Sequence, residues 1–276
     1  MRRKIITLGT SHGDPTYCRF NSATLILSGN KSYLIDAGAP VNALIIRHGA
    51  ALSALQAVFI THMHDDHVGG LPGLIKSLAK YPVNGQHTEI FMPSRAAIEG
   101  LLGWVEVQHR TWKPELLDFK VTQPGYVFAD NSVKITALPT RHLEDEATLE
   151  NSFGYCFDFV DGFRLVYTGD LKNDFSDFPQ IVFDEPCDIC ICESTHIDLE
   201  RDIKALSRCS IGKIIFNHVA DRWHGKGEDE LLKLCRALPY ECAVAHDGDE
   251  FYFDTVRDFA KKNAKKQMCR PVTDVG

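Results

Sequence analysis

Short runs of apolar residues, separated by polar turn residues, recur along the whole of this 276-residue chain. Runs rich in β-branched and aromatic residues predict strands at residues 4–8, 24–27, 33–35, 57–60, 133–138, 155–159, 164–167, 189–192, 214–217 and 251–253. Gly29-Asn30 and Asp161-Gly162 predict tight hairpin turns, because these residues accept positive φ angles. Antiparallel strand pairs are therefore expected.

Apolar residues spaced three and four apart predict helices at residues 41–48, 71–78, 96–102, 228–237 and 256–266. These helices interleave with the strands but do not alternate with them strictly, which disfavours a doubly wound parallel sheet. The pattern favours an α+β fold in which packed mixed sheets carry helices on the outside. Since no repeat or linker-like stretch interrupts it, we expect one domain over residues 1–276.

Composition narrows the class of protein. The chain is 44% hydrophobic and 24% charged, as in ordinary globular proteins, and its 30 basic and 37 acidic residues give a net charge of −7, which excludes a histone-like nucleic-acid coat. No signal-peptide core or membrane-length apolar run is present, so a cytoplasmic protein without a membrane partner is predicted. The nine cysteines suggest free thiols rather than a disulfide framework.

The strongest chemical signal follows the predicted strand at residues 57–60. His62, His64, Asp66 and His67 form the pattern H-x-H-x-D-H, followed by Gly69-Gly70. Imidazole and carboxylate groups bind zinc, manganese or iron. One ion could not take all four groups with good geometry, so the pattern indicates two adjacent ions that need further ligands downstream.

Three downstream residues are candidates for those ligands. His142, Asp170 and His218 each follow an apolar strand. His246 competes with His218 for the last position, but the stretch His246-Asp-Gly lies between short strands and is typical of a turn. We therefore prefer His218.

These motifs, in this order and together with Asp36 at the end of an early strand, resemble the metallo-β-lactamase superfamily. The resemblance covers roughly residues 4–253 and implies a four-layer αββα sandwich. It implies that Asp36 supports the ligands without binding metal itself. The ligand sets that it implies are His62, His64 and His142 for one ion, Asp66, His67 and His218 for the second, and Asp170 as a bridge between both.

Finer features indicate a branch of that superfamily. Asp170 stands where zinc β-lactamases carry cysteine, so antibiotic hydrolysis is not expected. His64 stands where flavodiiron oxygen reductases carry glutamate, so the resemblance implies hydrolysis rather than redox chemistry. Residues 8–16, the stretch 218–223 and the tail 245–248 are similar to the tRNase Z-like phosphodiesterases. The resemblance therefore implies a phosphodiesterase.

Two departures argue against tRNA processing. Cys192-Glu-Ser-Thr stands where that branch has H-E-A/S-T, and His142 and Asp170 lie only 28 positions apart, which leaves no room for the long tRNA-binding arm. Cysteine is a poorer proton donor than histidine near neutral pH, so help for the leaving group must come from elsewhere. The same spacing occurs in arm-less relatives, which favours a small phosphodiester or nucleotide substrate.

The sequence thus predicts a dinuclear metal-dependent hydrolase in which a hydroxide bridging two divalent ions attacks phosphorus. Asp66 and Asp170 are the predicted catalytic residues, and zinc is favoured over manganese or iron. Two alternatives stay open: a lactone or thioester hydrolase on the same scaffold, and a non-catalytic metal-binding or ligand-sensing protein.

Other contacts are less sharply defined by the sequence. His12, Arg19 and Arg222 are candidate substrate-binding residues, although solvent-facing or salt-bridge roles explain them equally well. Trp104 to Trp112 could form a lid, but packing or a homodimer contact is favoured. A basic stretch at residues 261–266 indicates nucleic acid only weakly, because charge runs are usually solvated surfaces.

Overall fold

The computed structural model describes residues 3–80, 82–108, 113, 115–144 and 151–253. Within these residues the strands form two sheets of seven strands each. The strands are β1 Arg3–Gly9, β2 Ala23–Ser28, β3 Lys31–Ile35, β4 Leu55–Phe59, β5 Thr88–Met92, β6 Leu117–Val121, β7 Gly125–Ala129, β8 Val133–Thr140, β9 Ser152–Phe159, β10 Arg164–Tyr167, β11 Cys187–Glu193, β12 Ile211–Asn217, β13 Glu241–Val244 and β14 Asp249–Phe253.

Helices connect many of these strands. They are α1 Val41–Arg47, α2 Asp65–Val68, α3 Leu71–Lys80, α4 Arg95–Val107, α5 Ile181–Asp184, α6 Leu199–Leu206 and α7 Lys226–Leu234, with short 3-10 turns at Leu52–Ala54, Asp221–Trp223 and Cys235–Ala237. Most connections between parallel strands carry one of these helices, as such crossovers require.

Both sheets are mixed, as the sequence predicts. The first has the order β14-β1-β2-β3-β4-β5-β6 and is antiparallel from β14 to β3 and parallel from β3 to β6. The second has the order β13-β12-β11-β10-β9-β8-β7 and is parallel from β13 to β10 and antiparallel from there to β7. Each sheet therefore has one parallel half.

Three buried layers of side chains hold the molecule together. An aromatic layer that includes Tyr33, Phe59 and Phe157 lies between the two sheets. A second layer joins the first sheet to α1, α3 and α4, and a third joins the second sheet to α5, α6 and α7. Helix, sheet, sheet and helix follow one another, which confirms the predicted αββα sandwich.

All ten predicted strands are present, with ends shifted by up to three residues. The sequence analysis missed β5, β6, β7 and β13. Of these, β6, β7 and β13 lie at sheet edges, where half-buried or exposed side chains need little apolar sequence. The inner strand β5 offers only the short apolar run at residues 90–92.

Four of the five predicted helices correspond to α1, α3, α4 and α7. The predicted helix at residues 256–266 and the basic stretch within it lie outside the described residues, so one domain over residues 1–276 stays a prediction. Helix α6 was missed, although Asp198 caps its first turn by accepting a hydrogen bond from the Arg201 amide and Leu199 and Leu206 are buried. Charged residues interleave with the apolar ones along this short helix, so the sequence shows no clear helical spacing of apolar residues.

Two findings bear on partners. Within the described residues, no helix combines the length and apolar character that crossing a bilayer requires. Trp104 and Val107 lie on α4 with 59% and 71% of their surface exposed. The rest of the predicted contact segment falls largely on residues 109–112, outside the described residues, so its role stays a prediction.

The layer between the sheets should dominate stability. Phe59 is fully buried and its ring lies 5.1 Å from Phe91 and 5.2 Å from Tyr155, centroid to centroid. We expect Phe59→Ala to lower the free energy of unfolding by about 3–5 kcal/mol, because it leaves a cavity among rings. Urea denaturation followed by circular dichroism measures this, with the exposed Val160→Ala as control. Equal midpoints for both variants would contradict it.

Candidate metal centre and active site

The candidate site lies where strands of both sheets end. Asp36 follows β3 and His62 lies three residues after β4, while Asp170 and His218 follow β10 and β12 in the second sheet. His142 follows β8, which runs in the same direction as β10 because both pair antiparallel with β9. Carboxyl ends of parallel strands meet at one edge, so the topology gathers these residues.

A single helical turn carries the middle of the H-x-H-x-D-H motif. Helix α2 starts after His64 and presents Asp66 and His67, both buried, on consecutive positions. The Gly70 amide, just after this turn, donates a hydrogen bond to the Ala37 carbonyl oxygen. Any residue with a Cβ would clash there, because that atom would lie 2.7 Å from the same oxygen. The glycine lets this turn pack against the end of β3.

Three imidazoles form the first cluster. One ring nitrogen from each of His62, His64 and His142 lies within 4.8 Å of those from the other two. His142 Nε2 is 3.4 Å from His64 Nδ1. The Nε2 atom of His62 is buried and has no hydrogen-bond partner, although burial of a polar nitrogen normally requires one.

Asp66, His67 and His218 form the second cluster. His218 Nε2 lies 3.1 Å from both His67 Nε2 and Asp66 Oδ2. Asp170 lies between the clusters: its Oδ2 atom is 3.4 Å from His67 Nε2, 3.6 Å from His218 Nε2 and 3.8 Å from His62 Nε2. One carboxylate oxygen is thus shared by both clusters.

These clusters fit divalent metal ions. Zinc binds imidazole nitrogen at about 2.0–2.1 Å, so two nitrogens on one tetrahedral ion lie about 3.3 Å apart. The distances of 3.1 and 3.4 Å between facing nitrogens match that spacing. Neutral imidazoles cannot all donate protons to one another across these gaps. A cation satisfies them together, as well as the partnerless nitrogen of His62.

Electrostatics favour metal-binding protonation states at Asp170 and His62, whereas at His67 burial is outweighed by Asp170 and Asp36, which raise the pKa of that ring well above its usual range. Burial alone would raise the pKa of Asp170, but the nearby His218 and His67 outweigh it and hold that pKa well below its usual range. Burial lowers the pKa of His62. The carboxyl group is therefore ionised and the imidazole neutral at neutral pH.

A surrounding set of hydrogen bonds orients the ligands. The Asp36 carboxylate accepts from the Thr61 amide at 2.8 Å and lies 2.8 Å from His67 Nδ1, which directs Nε2 of that ring into the site. The Thr195 hydroxyl is 3.1 Å from Nδ1 of His218. Asp36 and His218 both adopt positive φ angles, at 59° and 47°, which side chains tolerate only where the surroundings impose them.

His196 lies at the site and was missed by the sequence analysis. Its Nδ1 atom is 3.3 Å from Glu193 Oε1 and 3.6 Å from Asp170 Oδ2, and its ring centroid is 4.5 Å from that of His142. Burial would lower its pKa, but the contacts with Glu193 and Asp170 outweigh burial and raise the pKa to about 9. With 30% of its side chain exposed, His196 lies at the entrance.

Glu193 builds the turn that carries His196. One carboxylate oxygen accepts hydrogen bonds from the Thr195 amide at 2.7 Å and the His196 amide at 2.8 Å, and the other accepts from the Leu171 amide at 3.1 Å. Because Leu171 follows Asp170, this one buried side chain fixes both the bridging aspartate and His196. A histidine four positions after Cys192 was the signal that could have found it.

Cys192 is not at the metal site. It is fully buried in β11 on the side of the outer helices, together with Cys187 and Cys190, and burial raises its pKa well above the usual range. The metal-capable clusters found among the described residues contain no cysteine. The Cys187-Cys190-Cys192 stretch therefore behaves as a set of small apolar side chains.

The candidate substrate-binding residues occupy different positions. His12 lies beside the strand end that carries His218, with Nε2 3.1 Å from Asp221, and Arg222 packs over the Trp223 ring at 4.3 Å. Arg19 is 4% exposed and donates to the Thr10 hydroxyl at 2.6 Å. Arg19 therefore supports its own loop, and substrate binding by His12 and Arg222 stays a prediction.

The chain is similar in sequence and fold to several known proteins. Ribonuclease BN of Enterobacter sp. (strain 638) is 26% identical over 88% of this chain and 98% of its own length. The short form of human tRNase Z superposes with a TM-score of 0.70 at 18% identity, covering 90% of this chain and 98% of that one. A diphosphatase of the PhnP family gives a TM-score of 0.68 at 18% identity over 92% and 98%.

Fold and site together define a metal-dependent hydrolase of the metallo-β-lactamase superfamily, in its tRNase Z-like branch. Within that class, residues 3–203 match the model of the family described as "Anti-Pycsar protein Apyc1". The chain belongs to this family.

The choice of His218 over His246 as the last ligand is testable. His246 is half-exposed, with Nε2 2.9 Å from Glu228, whereas His218 lies in the second cluster. We expect His218→Asn to lose about one metal equivalent per chain, since it removes one ring nitrogen from a three-residue set. Elemental analysis after dialysis measures the loss, and His246→Asn serves as the matched control. Loss of metal from His246→Asn alone would reverse the assignment.

Proposed function

We propose that this chain is a dinuclear phosphodiesterase that cleaves a small phosphodiester or nucleotide. The observation that carries the proposal is the position of Asp170 Oδ2 between two three-residue clusters, each suited to one divalent ion. Metal pairs that share a carboxylate are a recurring arrangement in phosphoryl hydrolysis.

In this proposal His62, His64 and His142 would hold one ion, Asp66, His67 and His218 would hold the other, and Asp170 would be available to both. The bound ions would activate a water molecule and neutralise charge that builds on the phosphoryl oxygens. We favour zinc, because ligand sets of imidazole nitrogens and carboxylate oxygens suit its borderline character, with manganese or iron as alternatives.

Charge at the site supports an anionic substrate. Asp66 and Asp170 are the carboxylates within the two clusters, and the buried Glu193 and Asp36 lie beside them. Two divalent ions would offset these four negative charges, so the site would bind an anion more readily than the net charge of −7 suggests. A phosphodiester anion is attracted by the local charge, which acts at short range.

The chain's own residues have separate tasks. Asp66 lies in the second cluster, 3.2 Å from His67 Nε2, and would orient the attacking water by accepting its hydrogen bond. His196 lies at the entrance beside His142 and would give its proton to the leaving oxygen. Glu193 holds His196 in that position through the hydrogen bonds of its turn.

A small substrate is favoured by what lies between His142 and Asp170. Strands β9 and β10, together with the tight turn at residues 160–163 that joins them, occupy residues 152–167 of that interval. The tRNA-binding arm expected of larger relatives is therefore not accommodated in the described part of this interval. Names of the relatives include both ribonucleases and a diphosphatase, which share phosphodiester or phosphoanhydride bonds as targets.

Metal-dependent turnover tests the core of the proposal. Chelated protein reconstituted with zinc or manganese should hold two ions per chain and cleave bis(p-nitrophenyl) phosphate, and Asp170→Asn should reduce kcat by more than about 100-fold, because even outer hydrogen-bond partners of metal ligands cost 10–100-fold. The exposed Asp229→Asn is the control. Two bound ions without any phosphodiester cleavage would favour a lactone or thioester substrate instead.

The role of His196 has a more specific signature. We expect His196→Asn to lower kcat about 10²-fold or more for a diester with a nucleoside leaving group, which needs a proton. Cleavage of bis(p-nitrophenyl) phosphate should change little, because p-nitrophenolate leaves without protonation. The exposed His87→Asn serves as control. An equal loss on both substrates would mean that His196 acts on the metals rather than on the leaving group.

A further inference from the structure

A cleft lies between hairpin turns at the end of the sandwich opposite the candidate metal centre. The turns join β2 to β3 at residues 29–30, β7 to β8 at residues 130–132 and β9 to β10 at residues 160–163. Strands β3, β8 and β10 start at these turns and lead to the candidate site, so the eight residues of β8 separate the two ends by about 25 Å. The cleft has a volume of about 410 Å³, which is in the range of small-molecule sites.

Arg3 on β1 lies at the buried side of this cleft. It is 5% exposed, and its guanidinium carbon lies 4.6 Å from the centroid of the Phe159 ring and 5.6 Å from that of Phe253. The Nη2 atom donates a hydrogen bond to the Asp161 carboxylate. The Nη1 atom is buried and has no partner among the described residues. A buried charged donor without an acceptor costs free energy, so this atom calls for a ligand that supplies one.

The other groups around the cleft favour a ligand that is rich in acceptors. The Lys31 ammonium donates to Asp130 at 2.8 Å and to the Asn131 Oδ1 atom at 2.5 Å. Both carboxylate oxygens of Asp161 accept hydrogen bonds from within the protein. These protein acceptors are therefore already in use, whereas Arg3 Nη1 still has protons to donate and the ammonium has three in all.

We propose that this cleft binds a phosphate group, one oxygen of which accepts a hydrogen bond from Arg3 Nη1. The lining contains two cationic side chains, Arg3 and Lys31, and one carboxylate, Asp161. Polar side chains enter it from β1 and from all three turns, which suits the tetrahedral oxygens of phosphate better than a planar carboxylate. The volume also has room for the organic part of a phosphorylated small molecule. This site is separate from the metal centre and does not depend on the proposed function.

Isothermal titration calorimetry with ribose 5-phosphate tests the proposal on the metal-reconstituted full-length protein. We expect binding at the cleft in addition to any at the metals, and none at the cleft for ribose. Arg3→Lys keeps the positive charge but removes Nη1, so the Kd at the cleft should rise about tenfold or more, because a hydrogen bond from a charged group is lost. The kcat for bis(p-nitrophenyl) phosphate should stay at the wild-type value.

Asn131→Ala changes an exposed residue of the rim and tests the same site with little effect on folding. The Kd at the cleft should rise about threefold or more, because one side-chain amide is lost. The matched control is Asn84→Ala, which removes an exposed asparagine between α3 and β5.

An unchanged Kd for both Arg3→Lys and Asn131→Ala would overturn the proposal, as would the absence of any binding away from the metals in the wild-type protein. Tighter binding of citrate than of ribose 5-phosphate would also overturn it, since the cleft would then select carboxylates. Equal Kd values for inorganic phosphate and ribose 5-phosphate would support the phosphate site and assign free phosphate as its occupant.

Discussion

Close approach of ligand nitrogens and carboxylate oxygens at one end of the sandwich is the constraint on which the rest of this structure depends. His67 and His218 bring nitrogens to 3.1 Å from each other in a buried place, and the Asp170 carboxylate lies between the clusters. Without a cation, these buried imidazoles and carboxylates would lose their hydration and form few compensating interactions. Metal binding and stability of this end of the molecule are therefore linked.

The two sheets meet that constraint in corresponding ways. Each has a parallel half whose carboxyl ends point at the site, so ligands arrive from both sheets and meet across the aromatic layer between them. Asp36, which follows β3, fixes the ring orientation of His67. Thr195, which follows β11, fixes that of His218. Rigid strands set the positions of the ligands, and short hydrogen bonds set their angles.

Different parts of this arrangement leave different traces in the sequence. The H-x-H-x-D-H pattern is compact, so the sequence alone indicated two metals, whereas His142, Asp170 and His218 are separated by strands and were placed through the resemblance to a known superfamily. Buried strands carried clear apolar runs. Edge strands such as β6 and β7 did not, because half-exposed positions place few demands on residue type.

His196 escaped prediction for a related reason. A single histidine in a loop has no periodicity, and its place at the site depends on a turn built by Glu193 hydrogen bonds. Arg19 shows the opposite case, since its charge suggested contact with substrate but its burial under the loop assigns it a supporting contact. In both cases tertiary contacts, which residue type does not reveal, decided the position.

The loop between β1 and β2 also has a chemical consequence. Of the cysteines in the described part of the chain, Cys18 is the one with an exposed side chain, and burial keeps the others from solvent to varying degrees. Exposed thiols react with electrophiles far faster than buried ones. A maleimide or another thiol-reactive electrophile would therefore label the described part of the chain first at Cys18, in the loop between β1 and β2.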